Sequence, residues 1–172
     1  MLTMCPSVYD SAMLTLRPAA PADAALILEY VHDLAEFERQ PEAVVATVAD
    51  IERYVFGENP LVRVTMAEWD GRAAGFALWF LNFSTWEGKP GIYLEDLFVR
   101  PAFRGKGIGK ALLAHLAATA VREGWTRFVW NVLDWNTPAI DFYQAHGAIV
   151  LREWLTCRLE GDALRRMANT AD

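Results

Sequence analysis

The chain has 172 residues, 53% of them apolar, which is enough for one globular domain with a sizeable core and argues against a disordered chain. Its formal net charge is −6, so the sequence does not favour binding to the phosphate backbone of a nucleic acid. No apolar run approaches the roughly 18 residues that a membrane-spanning helix needs. Neither a nucleic acid nor a membrane is therefore an expected partner.

The cysteines and the N-terminus bear on the compartment. Cys5 and Cys157 lack the spacing of metal ligands, which argues against a structural zinc and favours a reduced compartment. No signal peptide is recognisable, so a cytoplasmic location is expected. Residues 1–13 are predicted to be a flexible extension, with Met13 as an alternative start, and residues 14–172 a single domain.

The first predicted elements are a strand and two helices. Leu14–Arg17 is strand-like, and a helix follows because apolar residues recur at helical spacing over Leu26–Phe37. Thr47 is the predicted N-cap of a second helix, which ends at Gly57.

Strand patterns come next. The runs Leu61–Trp69 and Arg72–Phe83 are joined by Asp70-Gly71, a strong signal of a two-residue hairpin, and Ser84–Gly91 is a predicted loop. Further along, a helix ends near Gly124, and a later helix is capped by Asn136 or Thr137 and ends at Gly147. The other predicted elements are strands at Ile92–Val99 and Thr126–Leu133, a strand pair at Ile149–Leu159 and a short helix at Asp162–Ala168. This order predicts a mixed α/β domain.

The segment Arg104–Gly109 is the most informative motif. Its three glycines stand between an apolar strand and a helix, and they leave backbone N–H groups unshielded. N–H groups at a helix N-terminus, together with the helix dipole, bind anions such as a pyrophosphate. Arg104 and Lys106 add positive charge. The alternative is a glycine-rich turn without a ligand.

Two other phosphate-binding loops compete for this segment. A nucleotide-hydrolysing P-loop requires Ser or Thr after a Gly-Lys pair, and neither follows one here. A dinucleotide-binding loop requires G-x-G-x-x-G, and the third glycine of this chain comes one position early. Asp134 lies where a dinucleotide-binding fold needs an acidic residue, so the motif alone does not exclude that fold. The antiparallel hairpin upstream argues against it, because a doubly wound domain normally opens with the glycine-loop unit.

Arg104–Gly109 also matches the pattern R/Q-x-x-G-x-G/A in full, which is the acetyl-CoA loop of the GNAT superfamily of N-acetyltransferases. Asn136 and Tyr143 follow at the expected places. From Leu14 to Ala168 the chain resembles the diamine (spermidine/spermine) N-acetyltransferase family, and more closely its thialysine branch. The matching segments are Leu34–Glu38, Ser84–Gly88, Tyr93–Asp96, Leu133–Asn136 and Phe142-Tyr143.

The resemblance implies a mixed α/β fold with a central, mostly antiparallel sheet of about six to seven strands and helices on both faces. It implies acetyl-CoA as cosubstrate, no metal, a small amine as acceptor, and a homodimer in which residues near Phe37 and Glu38 can serve the partner's site. The implied cofactor-binding residues are Leu97, Phe98, Val99, Arg104, Gly105, Lys106, Gly107, Ile108, Gly109, Lys110, Asn136, Thr137, Pro138, Ala139 and Tyr143. The implied substrate-binding residues are Phe37, Glu38, Trp86, Glu95 and Asp96.

Acetyl transfer first requires a neutral amine, although an amine with a pKa near 10 arrives protonated. Glu95 lies in an otherwise apolar strand and is the candidate to take the proton, directly or through a water. Asp96 is its neighbour, but successive side chains of a strand point to opposite faces, so adjacency alone gives them no shared role. The alternative is that hydrogen bonds near a strand end satisfy both.

The acetyl group poses two further requirements. Its carbonyl develops negative charge, which backbone N–H groups around Leu97–Val99 can stabilise. The leaving thiolate needs a proton, and the resemblance implies that Tyr143 supplies it, although the residues alone favour packing of Phe142-Tyr143 on a helix face. Asn136 either caps a helix or binds the pantetheine amides, or does both.

Two departures from the polyamine-acting relatives bear on the acceptor. Ser84 stands where they have an additional acidic residue, and Arg152 falls near the expected position of another. Fewer carboxylates favour a short diamine, thialysine or another lysine-like amine over a long polyamine. The alternatives are a non-catalytic acyl-CoA sensor and an enzyme that acetylates protein lysines or N-termini.

Overall fold

The structure is a computed structural model that describes residues 14–170. The predicted extension at residues 1–13 lies outside the described residues. Two compact units are present, the first ending at Asn131 and the second beginning at Val132. A single domain over residues 14–172 stays a prediction.

The described residues form strands and helices in the predicted order as far as the helix at Thr137–Ala145, and the predicted strand pair that should follow is absent. The elements are β1 (Leu14–Pro18), α1 (Ala24–Phe37), α2 (Val48–Phe56), β2 (Arg63–Trp69), β3 (Arg72–Ser84), β4 (Lys89–Val99), α3 (Ile108–Arg122), β5 (Phe128–Trp130), α4 (Thr137–Ala145) and α5 (Gly161–Ala168). The strands form one sheet in the order β1-β2-β3-β4-β5, antiparallel throughout except for the parallel pair β4 and β5. The predicted mixed, mostly antiparallel sheet is confirmed.

Local turn and cap signals account for several boundaries. Asp70 and Gly71 have φ values of 50° and 70°, both positive, as a two-residue hairpin between β2 and β3 requires. The Thr47 side chain accepts a hydrogen bond from the Asp50 N–H and caps α2, and Gly57 follows the last residue of that helix.

The sheet of the first unit carries a hydrophobic cluster on each face. One cluster joins Ile27 and Tyr30 of α1 and Ile51 of α2 to Phe76 of β3. The other joins α3, through Leu112 and its neighbours, to residues of β3 and β4. Helices therefore cover both faces, as predicted, and β3 is buried from Ala74 to Trp79.

The strand count is lower than predicted. The sheet has five strands within the described residues instead of six to seven, because the predicted pair at Ile149–Leu159 is irregular. Ile149, Trp154 and Leu155 are exposed there, and a strand-like apolar segment forms a strand only where a partner strand pairs with its backbone.

Two strand boundaries also differ from prediction. β5 is confined to Phe128–Trp130 instead of Thr126–Leu133, because pairing with β4 involves three residues only. β4 begins at Lys89, inside the predicted loop, because the β3–β4 hairpin pairs as far as Ser84 and Lys89.

Candidate active site

The glycine loop joins β4 to α3 and is open on its outer side. Gly105 and Gly107 have φ values of 76° and 79°, a conformation that other residues adopt only at a cost, and Gly107 is the N-cap of α3. A Cβ atom added at Gly105, Gly107 or Gly109 would meet nothing within 4 Å. The first N–H groups of α3 have no partner within the helix, so the loop offers donors and room for a phosphate group.

The other residues of this predicted set frame the loop. Ile108 begins α3 and is buried, whereas Lys110 is exposed in its first turn. The side chains of both loop cations lie on aromatic rings. Lys106 Nζ is 4.9 Å from the centroid of the Trp69 ring, and the Arg104 guanidinium carbon is 5.2 Å from that of Phe37.

A β-bulge interrupts β4 at the predicted acidic residues. Leu94 pairs with Trp79 and Asp96 pairs with Leu78, so Glu95 is an extra residue with no partner on β3. Leu94 and Leu97 both contact the cluster under α3, although strict alternation would place them on opposite faces. The alternation therefore slips by one residue at the bulge.

The slip places Glu95 and Asp96 on the same side of the sheet. Asp96 lies opposite Leu78, which packs in the cluster under α1 and α2, and directly opposed residues share a face. The expectation that the two carboxylates point to opposite faces is therefore wrong. The bulge, which depends on the register with β3, is the physical reason.

Asp96 lies within the electrostatic range of two other carboxylates. Burial, together with the charges of Glu95 and Glu38, raises the pKa of Asp96 from 3.8 to about 6. Glu38 is the C-cap of α1, and burial raises its pKa as well. Glu95 is exposed and Asp96 is half-buried. The structure thus brings together Glu38, Glu95 and Asp96, with Phe37 beside them at the end of α1.

β4 has an open edge just beyond this acidic group. The parallel pairing with β5 covers Ile92, Tyr93 and Leu94, and the strand then continues through Leu97, Phe98 and Val99 with pairing to β3 alone among the described residues. The N–H groups of this stretch that point away from β3 face the open edge, as the prediction of an N–H site around Leu97–Val99 requires.

Trp86 does not join the carboxylates within one chain. It lies at the tip of the β3–β4 hairpin and is 90% exposed. Lys89 comes six positions before Glu95 along β4, a distance of about 20 Å at the usual rise per residue of a strand. The Ser84 hydroxyl accepts a hydrogen bond from the Glu87 N–H at 3.3 Å and so supports the turn that carries Trp86.

The second unit holds the remaining predicted residues. Asn136 is the N-cap of α4, and its side chain accepts a hydrogen bond from the Ala139 N–H at 3.4 Å, with Thr137 and Pro138 beginning the helix. The capping role predicted for Asn136 is therefore confirmed. Tyr143 is half-buried, and burial raises the pKa of its phenol, which keeps the phenol protonated at neutral pH.

Some contacts of the site were not predicted. They are the contact of Lys106 with the Trp69 ring and the contact of Arg104 with the Phe37 ring. The two residues of each pair are far apart in the chain, so no local sequence pattern predicts the contact. Within the described residues no three His, Cys, Asp or Glu side chains are close enough together to hold a metal ion, and no helix has the length and hydropathy to cross a membrane.

The mixed sheet, the open glycine loop before a helix and the unpaired strand edge fit the acetyltransferase fold that the sequence resemblance implies. A model of the acetyltransferase (GNAT) family matches residues 27–148. The chain belongs to this family and is an N-acetyltransferase, and GNAT acetyltransferases use acetyl-CoA as cosubstrate.

Individual relatives agree with the predicted branch. The chain is 35% identical to the thialysine N-epsilon-acetyltransferase of Sus scrofa, over 91% of this chain and 98% of that protein. It is 33% identical to the L-ornithine N5-acetyltransferase NATA1 of Arabidopsis thaliana, over 87% and 86% of the two chains. The solved structure of integron cassette protein VCH_CASS6 from the mobile metagenome of V. cholerae superposes with a TM-score of 0.75 at 29% identity, covering 90% of this chain and 97% of that one.

Proposed function

We propose that this N-acetyltransferase transfers the acetyl group of acetyl-CoA to the primary amine of a small diamine, polyamine or lysine-like acceptor such as thialysine. The amine attacks directly in a ternary complex. The observation that carries the proposal is the bulge of β4, which sets Glu95 and Asp96 on one side of the sheet with Glu38 in electrostatic range. Relatives named for thialysine and L-ornithine support an acceptor of this class.

Three neighbouring carboxylates suit an acceptor with more than one ammonium group. A carboxylate pairs with a distal ammonium, and the partly exposed aromatic side chain of Phe37 lies next to Glu38 at the end of α1. Ser84 serves the β3–β4 turn through its hydroxyl and adds no charge. Short acceptors are therefore favoured over long, multiply charged polyamines.

The chain holds acetyl-CoA through backbone groups. The N–H groups at the start of α3 and the open space over Gly105, Gly107 and Gly109 fit a pyrophosphate. In the stretch Leu97–Val99, the N–H groups of Leu97 and Val99 point to the open edge of β4 and are offered to the pantetheine and the acetyl carbonyl. In the second unit, the start of α4 at Asn136–Ala139 supplies amide groups for the pantetheine. Bound acetyl-CoA contributes a thioester-activated acetyl group.

Proton transfer falls to three side chains. Glu95 and Asp96 take the proton of the acceptor ammonium, directly or through a water, and Asp96 suits this task because its pKa of about 6 lies near the working pH. Tyr143 returns a proton to the leaving thiolate, because a phenol kept neutral by burial remains a donor at neutral pH.

We further propose a homodimer in which Trp86 serves the acceptor site of the partner. The support is its place at an exposed hairpin tip, about 20 Å along β4 from Glu95 of the same chain. The exposed apolar residues Ile149, Trp154 and Leu155 give the second unit a further surface that a second copy would cover. Mixing two inactive variants, Trp86→Ala and Asp96→Asn, tests the shared site. Recovered activity in the mixed dimers is expected, and a mixture that stays inactive contradicts it.

A thiol-release assay with acetyl-CoA tests the main proposal across diamines, polyamines, thialysine, lysine and lysine-containing peptides. We expect the highest kcat/KM for thialysine or a short diamine. Glu52→Gln, on the exposed side of α2, is the matched charge control for the acidic site and should match the wild type. The absence of turnover on every primary amine would refute the proposal, and turnover on peptides alone would assign the enzyme to protein lysines.

A further inference from the structure

Arg104 opens the glycine loop, yet its side chain lies away from the glycines. Its Nε donates a hydrogen bond to the carbonyl of Val99 at 3.0 Å, which directs the side chain back along β4. The guanidinium carbon is 5.2 Å from the ring centroid of Phe37 and 5.8 Å from that of Phe98. The Arg104 side chain, which the loop motif predicts to bind phosphate, is therefore held by two aromatic rings and one carbonyl group.

These contacts reach the acceptor end of α1. Phe37 is the last residue of that helix, and Glu38, its C-cap, is one of the three carboxylates whose charges interact. Arg104 and Phe37 line one open cleft of about 600 Å³ between the end of α1 and the connection from β4 to α3. Arg104 is thus a direct contact between the cofactor loop and the helix end that presents Glu38.

The neighbouring arginine has a different set of partners. Arg100 Nη2 donates to Glu29 at 3.0 Å, and its Nε lies 3.6 Å from Asp33. Those pairs hold Arg100 against the middle of α1, whereas Arg104 contacts Phe37 in the last turn of the helix.

The loop can bind phosphate without the Arg104 side chain. Its N–H donors belong to the backbone at the start of α3, and the space over the glycines is open. The planar guanidinium suits stacking on rings, whereas a lysine ammonium keeps the charge but has neither the planar face nor an Nε for the Val99 carbonyl. Charge and stacking can therefore be separated by substitution.

We propose that Arg104 is a positioning residue for the amine acceptor. Its side chain fixes Phe37 and Glu38 at the end of α1 against β4, and it thereby determines acceptor affinity from within the cofactor loop. The inference rests on the proposed function for the identity of the acceptor. It assigns phosphate binding to the loop backbone and acceptor positioning to the Arg104 side chain.

Steady-state kinetics separate the two roles. We compare Arg104→Met and Arg104→Lys with Arg63→Met, a matched control that loses a cation 5.1 Å from the Trp79 ring on another part of the sheet. In both Arg104 variants the KM for the best amine is expected to rise about five- to tenfold, the size expected when a cation–π contact and a charged hydrogen bond are lost. The KM for acetyl-CoA should change less than about twofold, and Arg63→Met should leave both values unchanged. A raised KM for acetyl-CoA with an unchanged amine KM, or full recovery by lysine, would overturn the proposal.

Two further measurements separate this inference from the proposed function. Amide hydrogen exchange at Glu38, Arg39 and Gln40, whose N–H groups bond to Leu34, Glu36 and Ala35, should be faster in Arg104→Met than in the wild type, and unchanged exchange would overturn the positioning role. If the wild type acetylates no amine, the proposed function fails and exchange alone decides this inference. With an active wild type, Arg104→Met and Phe37→Leu should be non-additive in amine KM, and additive losses would refute a role through Phe37.

Discussion

Asp96→Asn tests the acidic site, because it removes one ionisable group and keeps the shape of the side chain. The pKa of Asp96 is raised from 3.8 to about 6 by burial and by the charges of Glu95 and Glu38. Between those two pH values the folded protein binds more protons at this group than the unfolded chain does. The free energy of unfolding therefore falls as the pH rises through this range, and the ionised carboxylate destabilises the fold at neutral pH.

The size of the effect follows from the shift. A rise of about two pKa units, at about 1.36 kcal/mol each, sets an upper limit of about 3 kcal/mol. Asp96 is half-buried, so screening by solvent reduces the expected gain in Asp96→Asn to about 1–2 kcal/mol at pH 8. The gain should disappear below pH 4, where the wild-type carboxyl is protonated in both states. Turnover should fall about 100-fold, since one proton acceptor is lost.

Urea unfolding at pH 4, 6 and 8 measures the expected gain in stability, and thiol release over the same range measures the expected loss of turnover. Wild-type turnover should rise with pH through about 6, the pKa of Asp96, and the variant should lose that limb. Glu52→Gln is the control and should stay within about 0.5 kcal/mol of the wild type. An unchanged or lower stability of Asp96→Asn at pH 8 would refute the raised pKa, and unchanged turnover would refute its role in proton transfer.

Four other substitutions probe the loop, the acid and the fold. Gly107→Ala should destabilise the protein by about 1–2 kcal/mol because φ is 79° there, and a thermal unfolding midpoint equal to the wild type would contradict this. Gly109→Ala should keep the wild-type stability but weaken CoA binding at least tenfold by calorimetry, since its methyl group enters the open space over the loop; undiminished affinity would place the phosphates elsewhere. Tyr143→Phe should lower turnover and leave CoA affinity within about twofold, and undiminished turnover would remove it as the acid. Asp23→Asn should lower the free energy of unfolding by about 1–3 kcal/mol at pH 7, because the ion pair with Arg17 lowers the pKa of Asp23. The loss of stability should vanish as the pH falls below the ordinary carboxyl range. A loss that does not depend on pH would rule out the ion pair as its cause.

The elements that could be predicted from the sequence are those with local signals. Asp70-Gly71, the Thr47 cap and the Asn136 cap each act on the few residues beside them, and each is found where the sequence placed it. The predicted strand pair at Ile149–Leu159 is wrong because the apolar content of a segment is also a local signal, whereas a strand exists only by pairing with another segment.

The same distinction divides the site. The glycine loop could be located because its conformation depends on glycines within six consecutive residues, Arg104–Gly109. The shared side of Glu95 and Asp96 could not, since it depends on how Leu94 and Asp96 pair with β3. The contact of Arg104 with Phe37 could not be predicted from a local pattern either. It changes the role expected for Arg104, although the glycine-loop motif that contains this residue was recognised.

The bulge of β4 also explains why the open edge and the acidic pair occur together. Pairing with β5 ends at Leu94, and the unpaired residue Glu95 comes immediately after it. A bulge bends its strand and increases the local twist, which opposes further pairing of the backbone beyond it. The single extra residue therefore accounts for two features at once: the unpaired backbone from Leu97 to Val99 and the two adjacent carboxylates. In a regular ladder Glu95 would pair with Leu78 and Asp96 with Ala77, which would direct Asp96 among the apolar side chains under α3, where an unpaired carboxylate is costly.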